Sequence, residues 1–222
     1  FESIAGGSLI DMGAYERQQL TYSGTILYVN QAVSSSGDGS SWAAAYKTLQ
    51  EALQVSCPNV TQIWVAKGAY YPTADETRNF SPTDVRTKTF MMKNNIAIYG
   101  GFAGNEASNY DLSLRNFVSN ETILSGDIDQ NNTLDNGNAY NVLVNSNTNN
   151  TAILDGFTVS GGYYGPDPGF PLRNARGSAM YNNTSSPTIR NCIFSKNAGF
   201  YGNIYDLYSS ATFTNCVFVQ NQ

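Results

Sequence analysis

The chain has 222 residues, 41% of them hydrophobic, which is enough to bury a sizeable core and excludes wholesale disorder. Charged residues make up only 13%, and 12 Lys plus Arg against 17 Asp plus Glu leave a net charge of −5, without a basic stripe that could track the phosphates of a nucleic acid. Histidine is absent, which removes Ser-His-Asp and Cys-His chemistry from this segment, and no apolar run has the length of a membrane-spanning helix.

Taken in chain order, the first strand-like run is 26–29, followed by the one helical pattern. Ser40-Ser41 is expected to cap a helix over 42–53, with Trp42, Ala45, Leu49, Ala52 and Leu53 on its apolar face and Cys57-Pro58 as its stop. Short strand-like runs bounded by Gly, Asn or Pro follow at 62–66, 96–99 and 140–144. Between them, Asp75, Glu76, Asp84 and Arg86 form the only dense charged stretch, edged by Pro72 and Pro82. It reads as a solvated insertion rather than a catalytic carboxylate pair, which would need two acids at a defined separation. Tyr70-Tyr71-Pro72 leaves two roles open, packing or stacking on a ligand.

Residues 126–135 place oxygen-bearing side chains in the spacing of a calcium-binding loop, with Asp127, Asp129, Asn131 and Asp135 as the candidate metal ligands and calcium as the one cofactor suggested. The pattern breaks twice, at Asn132 in place of a glycine and at Asn138 in place of a bidentate Glu. A structural loop satisfied by its own backbone is the competing expectation. Further on, 163–176 reads as an inserted loop. Its Tyr163, Tyr164 and Phe170, with Asp167, Arg173 and Arg176, have the composition of a carbohydrate-binding surface, or of aromatics that pack the loop down.

The C-terminal part repeats itself. Residues 186–197, Ser-Pro-Thr-Ile-Arg-Asn-Cys-Ile-Phe-Ser-Lys-Asn, return as 210–221 with a period of 24, and 153–162 is a diverged copy with Phe157 and Val159 in the places of Cys192 and Phe194. A period of this length marks stacked units, a parallel solenoid with Ile189, Cys192 and Phe194 over Phe213, Cys216 and Phe218, and Asn191 over Asn215 in a turn. The Cys192 and Cys216 thiols are expected to stack in the core, and an inter-strand disulfide is the lesser option.

Several of these segments together resemble the pectin-lyase-like superfamily, in its secreted bacterial β-helix members of the Bacteroidetes type. They are Tyr28-Val29-Asn30, 37–42, 49–53, 100–106, Arg115-Asn116, 124–129, 154–157 and the Asn-Cys-x-Phe repeats. The resemblance covers about residues 26–222 and implies an all-β, right-handed parallel β-helix (solenoid) with an N-terminal capping α-helix, secreted or at the cell surface. Residues 10–16 are similar to a motif that closes such helices. The expected organisation is therefore a closing-motif-like segment over 1–22, from a preceding module, and a β-helix over 23–222 truncated at its C-terminal end.

The expected function is a non-catalytic structural or adhesive scaffold that binds a glycan or cell-surface partner, or associates with itself or with neighbouring β-helix modules. A polysaccharide lyase or glycoside hydrolase is the alternative. An enzyme should carry carboxylates and Arg from several repeats along one sheet face, and a scaffold should carry Asn, Ser and Thr ladders.

Overall fold

Short runs with apolar residues on alternate positions become strands, because a strand sends successive side chains to opposite faces and each run has one face to bury. The computed structural model describes residues 22–165 and 176–222. In chain order its elements are β1 (Ile26–Val29), α1 (Leu49–Gln54), β2 (Gln62–Ala66), β3 (Gly68–Tyr70), β4 (Ala97–Phe102), β5 (Thr122–Ser125), β6 (Leu143–Ser146), β7 (Ile153–Asp155), β8 (Thr158–Ser160), β9 (Met180–Asn183), β10 (Thr188–Arg190), β11 (Ile193–Ser195), β12 (Ile204–Leu207), β13 (Thr212–Thr214) and β14 (Val217–Val219).

The strands form a six-stranded sheet, β1-β2-β4-β7-β10-β13, a five-stranded sheet, β14-β11-β8-β5-β3, and a three-stranded sheet, β12-β9-β6. Every strand pairing is parallel. From β7 onward the chain visits the six-, five- and three-stranded sheets in turn and then starts again. The molecule is thus all-β, mostly parallel sheet with little helix. The segment 1–22 expected as a closing motif lies, apart from Tyr22, outside the described residues.

Register follows the sequence period. Ile189 pairs with Phe213 and Phe194 with Phe218, and upstream Leu154 pairs with Ile189 and Val159 with Phe194. Leu27, Ile63, Ile98, Leu154 and Ile189 are buried at equivalent positions of the six-stranded sheet, and Tyr70, Leu124, Val159 and Phe194 at those of the five-stranded one. All belong to one core, to which the three-stranded sheet adds Leu143 and Met180.

Polar side chains stack as well. Asn215 Nδ2 donates to Asn191 Oδ1 at 2.7 Å, and Asn191 Nδ2 to Asp155 Oδ1 at 2.8 Å. Asn145 donates to Asn182 at 2.9 Å, and Asn182 to Asp206 at 2.7 Å. Each amide has one donating and one accepting side, so identical residues one repeat apart satisfy each other where a lone buried amide would not. Asn191 and Asn215 both sit at φ 52°, a left-handed conformation that Asn tolerates.

The helix departs from expectation at its start. It begins at Leu49 with Thr48 as its cap, whose side chain accepts from the Glu51 backbone while the Glu51 carboxylate accepts from the Thr48 backbone N–H. Ser40 and Ser41 do not cap it, and Trp42 and Ala45 are not on its face. The chain before Thr48 is held extended instead, because Tyr46 N–H donates to Tyr28 O at 2.9 Å and Tyr46 O accepts from Asn30 N–H at 2.8 Å. Leu49, Ala52 and Leu53 join the core beside edge strand β1, while Trp42 and Ala45 pack with Tyr28, Trp64 and Phe102 in a second cluster.

Cys57, Cys192 and Cys216 are all free. Burial pushes the Cys192 thiol up to about 12, as suits a core residue rather than a nucleophile.

Candidate binding cleft

The five-stranded sheet turns one set of side chains inward and the other outward, and the outward set lines a cleft of about 270 Å³. Ala69 from β3, Ile123 and Ser125 from β5 and Ser160 from β8 contribute from the sheet, and Lys196 from just beyond β11. Ser125, Ser160 and Ser195 occupy the same register on three adjacent strands, so hydroxyls recur at the inter-strand spacing of about 4.8 Å. Residues of the 126–138 loop, among them Asp127, Asn132, Thr133, Leu134 and Asn138, add a wall, and Tyr71 brings an aromatic ring.

Among the described residues, Asp127 is the only carboxylate lining the cleft. It is buried, and its two oxygens accept from the backbone N–H groups of Asn131 at 3.2 Å and Asn132 at 2.9 Å. Burial and the neighbouring Asp127 charge raise the Tyr71 phenol above its usual value, so it stays a neutral ring with a hydroxyl. Tyr70, by contrast, is a core residue that donates to Ala66 O at 2.9 Å, which assigns the two tyrosines different roles.

The four candidate metal ligands share this loop, yet other groups already engage them. Asn131 Nδ2 donates to Asp129 at 2.9 Å and to Asp135 at 3.0 Å, and Asp135 also accepts from Gly137 N–H at 2.7 Å and Thr133 Oγ1 at 2.8 Å. Asn132, where a calcium loop has glycine, adopts φ 61° itself. Asn138 is fully buried and donates to Gly161 O at 2.8 Å, tying the loop to the residue just after β8. Among the described residues, no group of three or more Asp, Glu, Cys or His stands where it could hold a metal ion.

Comparison with protein-family models, with curated proteins and with solved structures found no match to this chain.

The candidate carbohydrate residues are not gathered in one place. Phe170, Asp167 and Arg173 lie outside the described residues. Tyr163 bridges to Ala198, Tyr164 N–H donates to Ala198 O at 2.8 Å, and the Tyr164 ring lies 6.1 Å from that of Tyr140. Arg176 instead stacks over Tyr205 of β12 at 5.0 Å. The described members therefore pack the two limbs of the insertion against different parts of the sheet surface.

The charged stretch expected to be a solvated insertion is only partly so. Asp75 and Asp84 take up turn-forming roles, accepting from Thr77 N–H and Arg86 N–H, but Arg86 is buried at 8% exposure. Its Nε donates to Asn138 O at 2.8 Å, Nη1 to Asn136 Oδ1 at 3.0 Å and Nη2 to Tyr163 O at 2.7 Å, and its guanidinium stacks over Tyr140 at 4.1 Å. A planar fork with five N–H donors reaches three separate acceptors where an ammonium could not, which is why a cation is tolerated here.

Sequence inspection passed over the serine row, of which Ser125 and Ser160 line the cleft, although Leu124-Ser125, Val159-Ser160 and Phe194-Ser195 are one pattern in three copies. Aligning all repeats on the inward apolar residue would have exposed the outward serine column.

Proposed function

We propose that the three sheets are the faces of a right-handed parallel β-helix of the pectin-lyase-like kind, and that the chain is a non-catalytic secreted or cell-surface module that holds a glycan in the cleft of the five-stranded sheet. The composition of that cleft carries the proposal. Among the described residues it offers Ser, Thr and Asn side chains, Lys196 and one aromatic ring, and its single carboxylate is committed to two backbone amides. Such a lining hydrogen-bonds sugar hydroxyls and stacks on a sugar face, but it lacks the second carboxylate that glycoside hydrolysis by the two-acid route requires. The Asn ladders fit the same role, since they stiffen the rod without supplying chemistry. Association with itself or with neighbouring β-helix modules belongs to the same proposal, since parallel strands add neighbours by stacking.

The test is a glycan array with the purified chain and its Tyr71→Ala variant, followed by incubation of each retained polysaccharide with the chain. Retention that weakens at least tenfold in Tyr71→Ala, with neither new reducing ends nor unsaturated sugars, is expected. Cleavage would establish the hydrolase or lyase alternative in its place, and no retention of any glycan would end the proposal.

A further inference from the structure

We propose that Arg86 is the positioning residue of the cleft, and that through it Tyr163 and the 126–138 wall are held as one unit. The proposal rests on the cleft being a binding site, and its geometry is independent of which ligand is bound.

Three segments far apart in sequence converge on one buried guanidinium. Nη1 and Nε hold Asn136 and Asn138 of the wall, at separations of 50 and 52 residues, and Nη2 holds the Tyr163 carbonyl at a separation of 77. The backbone closes the same circuit, because Tyr140 N–H donates to Arg86 O at 2.9 Å and Tyr163 N–H to Ala139 O at 2.9 Å. Asn138 in turn reaches Gly161 O and lines the cleft with Asp127. Tyr140 lies against the other side of the guanidinium at 4.1 Å, so the fork is fixed in plane as well as in position.

The wall's tip from Asp129 to Thr133 is exposed and bonded within itself, so the wall is anchored by buried Asp127 at one end and, at the other, by Arg86 on Asn136 and Asn138 beside the Asn138–Gly161 and Ala139–Gly126 hydrogen bonds. Releasing the guanidinium leaves the far end of the wall on the Asn138–Gly161 and Ala139–Gly126 hydrogen bonds, and loosens it together with Tyr163.

Hydrogen exchange of the whole chain, as wild type, Arg86→Ala, Arg86→Lys and Asn136→Ala, tests this without any ligand. In Arg86→Ala the amides of Asn138, Ala139 and Tyr163 are expected to exchange about tenfold faster or more, together, as follows when charge-assisted hydrogen bonds are lost from one opening unit. Added guanidinium ion should restore their protection in Arg86→Ala, while Arg86→Lys stays loosened because its ammonium cannot serve three diverging acceptors. Asn136→Ala, which removes one exposed side chain, should loosen Asn138 and Ala139 by a smaller factor and keeps the test open if Arg86→Ala does not fold.

Faster exchange confined to residues 84–88, or loosening of the wall that leaves Tyr163 protected, would overturn the coupling. Affinity for whichever glycan the array returns should fall in Arg86→Lys. Unchanged affinity there defeats this inference alone, whereas a wild-type chain that binds no glycan defeats the cleft proposal and leaves the exchange result standing.

Discussion

At the scale of single residues, Asp155 joins three side chains from distant segments. It is 3% exposed and takes Arg115 Nη2 at 3.0 Å, Arg190 Nη2 at 3.1 Å and the Asn191 amide at 2.8 Å. Arg115, equally buried, also donates to Gly100 O and Leu112 O and stacks over Tyr99, thereby holding the 103–121 excursion onto the six-stranded sheet. Asp155→Ala strands this cation, so a loss of about 3–5 kcal/mol in urea unfolding is expected.

Asp129 and Asp135, in the cleft-wall loop, should titrate in opposite directions. Partial desolvation, the adjacent Asp127 and the Asp135 charge raise the Asp129 carboxyl, while the Gly137 amide, Thr133 and Asn131 lower that of Asp135. With its folded value above the unfolded one, Asp129 binds its proton first in the native state, so its contribution to stability improves as pH falls through that value. Asp135 contributes above its unfolded value and loses that contribution as pH falls through its folded one. Carboxyl carbon NMR should therefore show Asp129 titrating above Asp135, and the reverse order would mean that the loop has a different arrangement.

At the scale of elements, α1 is six residues long and cannot persist on propensity alone. Its capping box and the burial of Leu49, Ala52 and Leu53 hold it, so Thr48→Ala is expected to cost about 1 kcal/mol, and Thr48→Ser much less. An equal loss for both would mean that the Thr48 methyl, not its oxygen, is what counts. Backbone conformation and close packing explain two glycines among the sequence landmarks, one inside β4 and one just after β7. Gly101 and Gly156 have φ of 88° and 85°, and a Cβ on either would come within 2.6 Å of the Phe117 ring, so both the conformation and the close packing demand glycine.

At the scale of the molecule, the sheets grow by stacking, and each strand meets only its neighbours. Phe194 lies fully buried, with its ring 4.9 Å from that of Phe218, and Phe194→Ala is expected to cost about 3–5 kcal/mol. Its effect should be local: amides of 188–219 should lose exchange protection while those of β1 and β2 keep theirs. Uniform loss throughout the chain would show one cooperative unit instead. Self-association predicts a light-scattering mass above that of the monomer, reduced by Phe218→Lys; a monomer in both chains would remove it.

The repeat, its register and its inward residues were legible in the sequence alone, because stacking puts identical positions over one another and the period is written in Ile189, Cys192, Phe194 and their copies. The strands 26–29 and 62–66 were legible for the related reason that alternation is local. What only the tertiary structure decided depends on contacts far apart in the chain. Tyr46 pairs with Tyr28 and Asn30 rather than continuing a helix, and Arg86 lies buried inside a stretch whose composition reads as solvated, because its acceptors come from residues 136–163. The cleft was hidden for the same reason: its wall comes from residues 127–138 and its ring from Tyr71, which only the fold brings beside the Ser125 and Ser160 row.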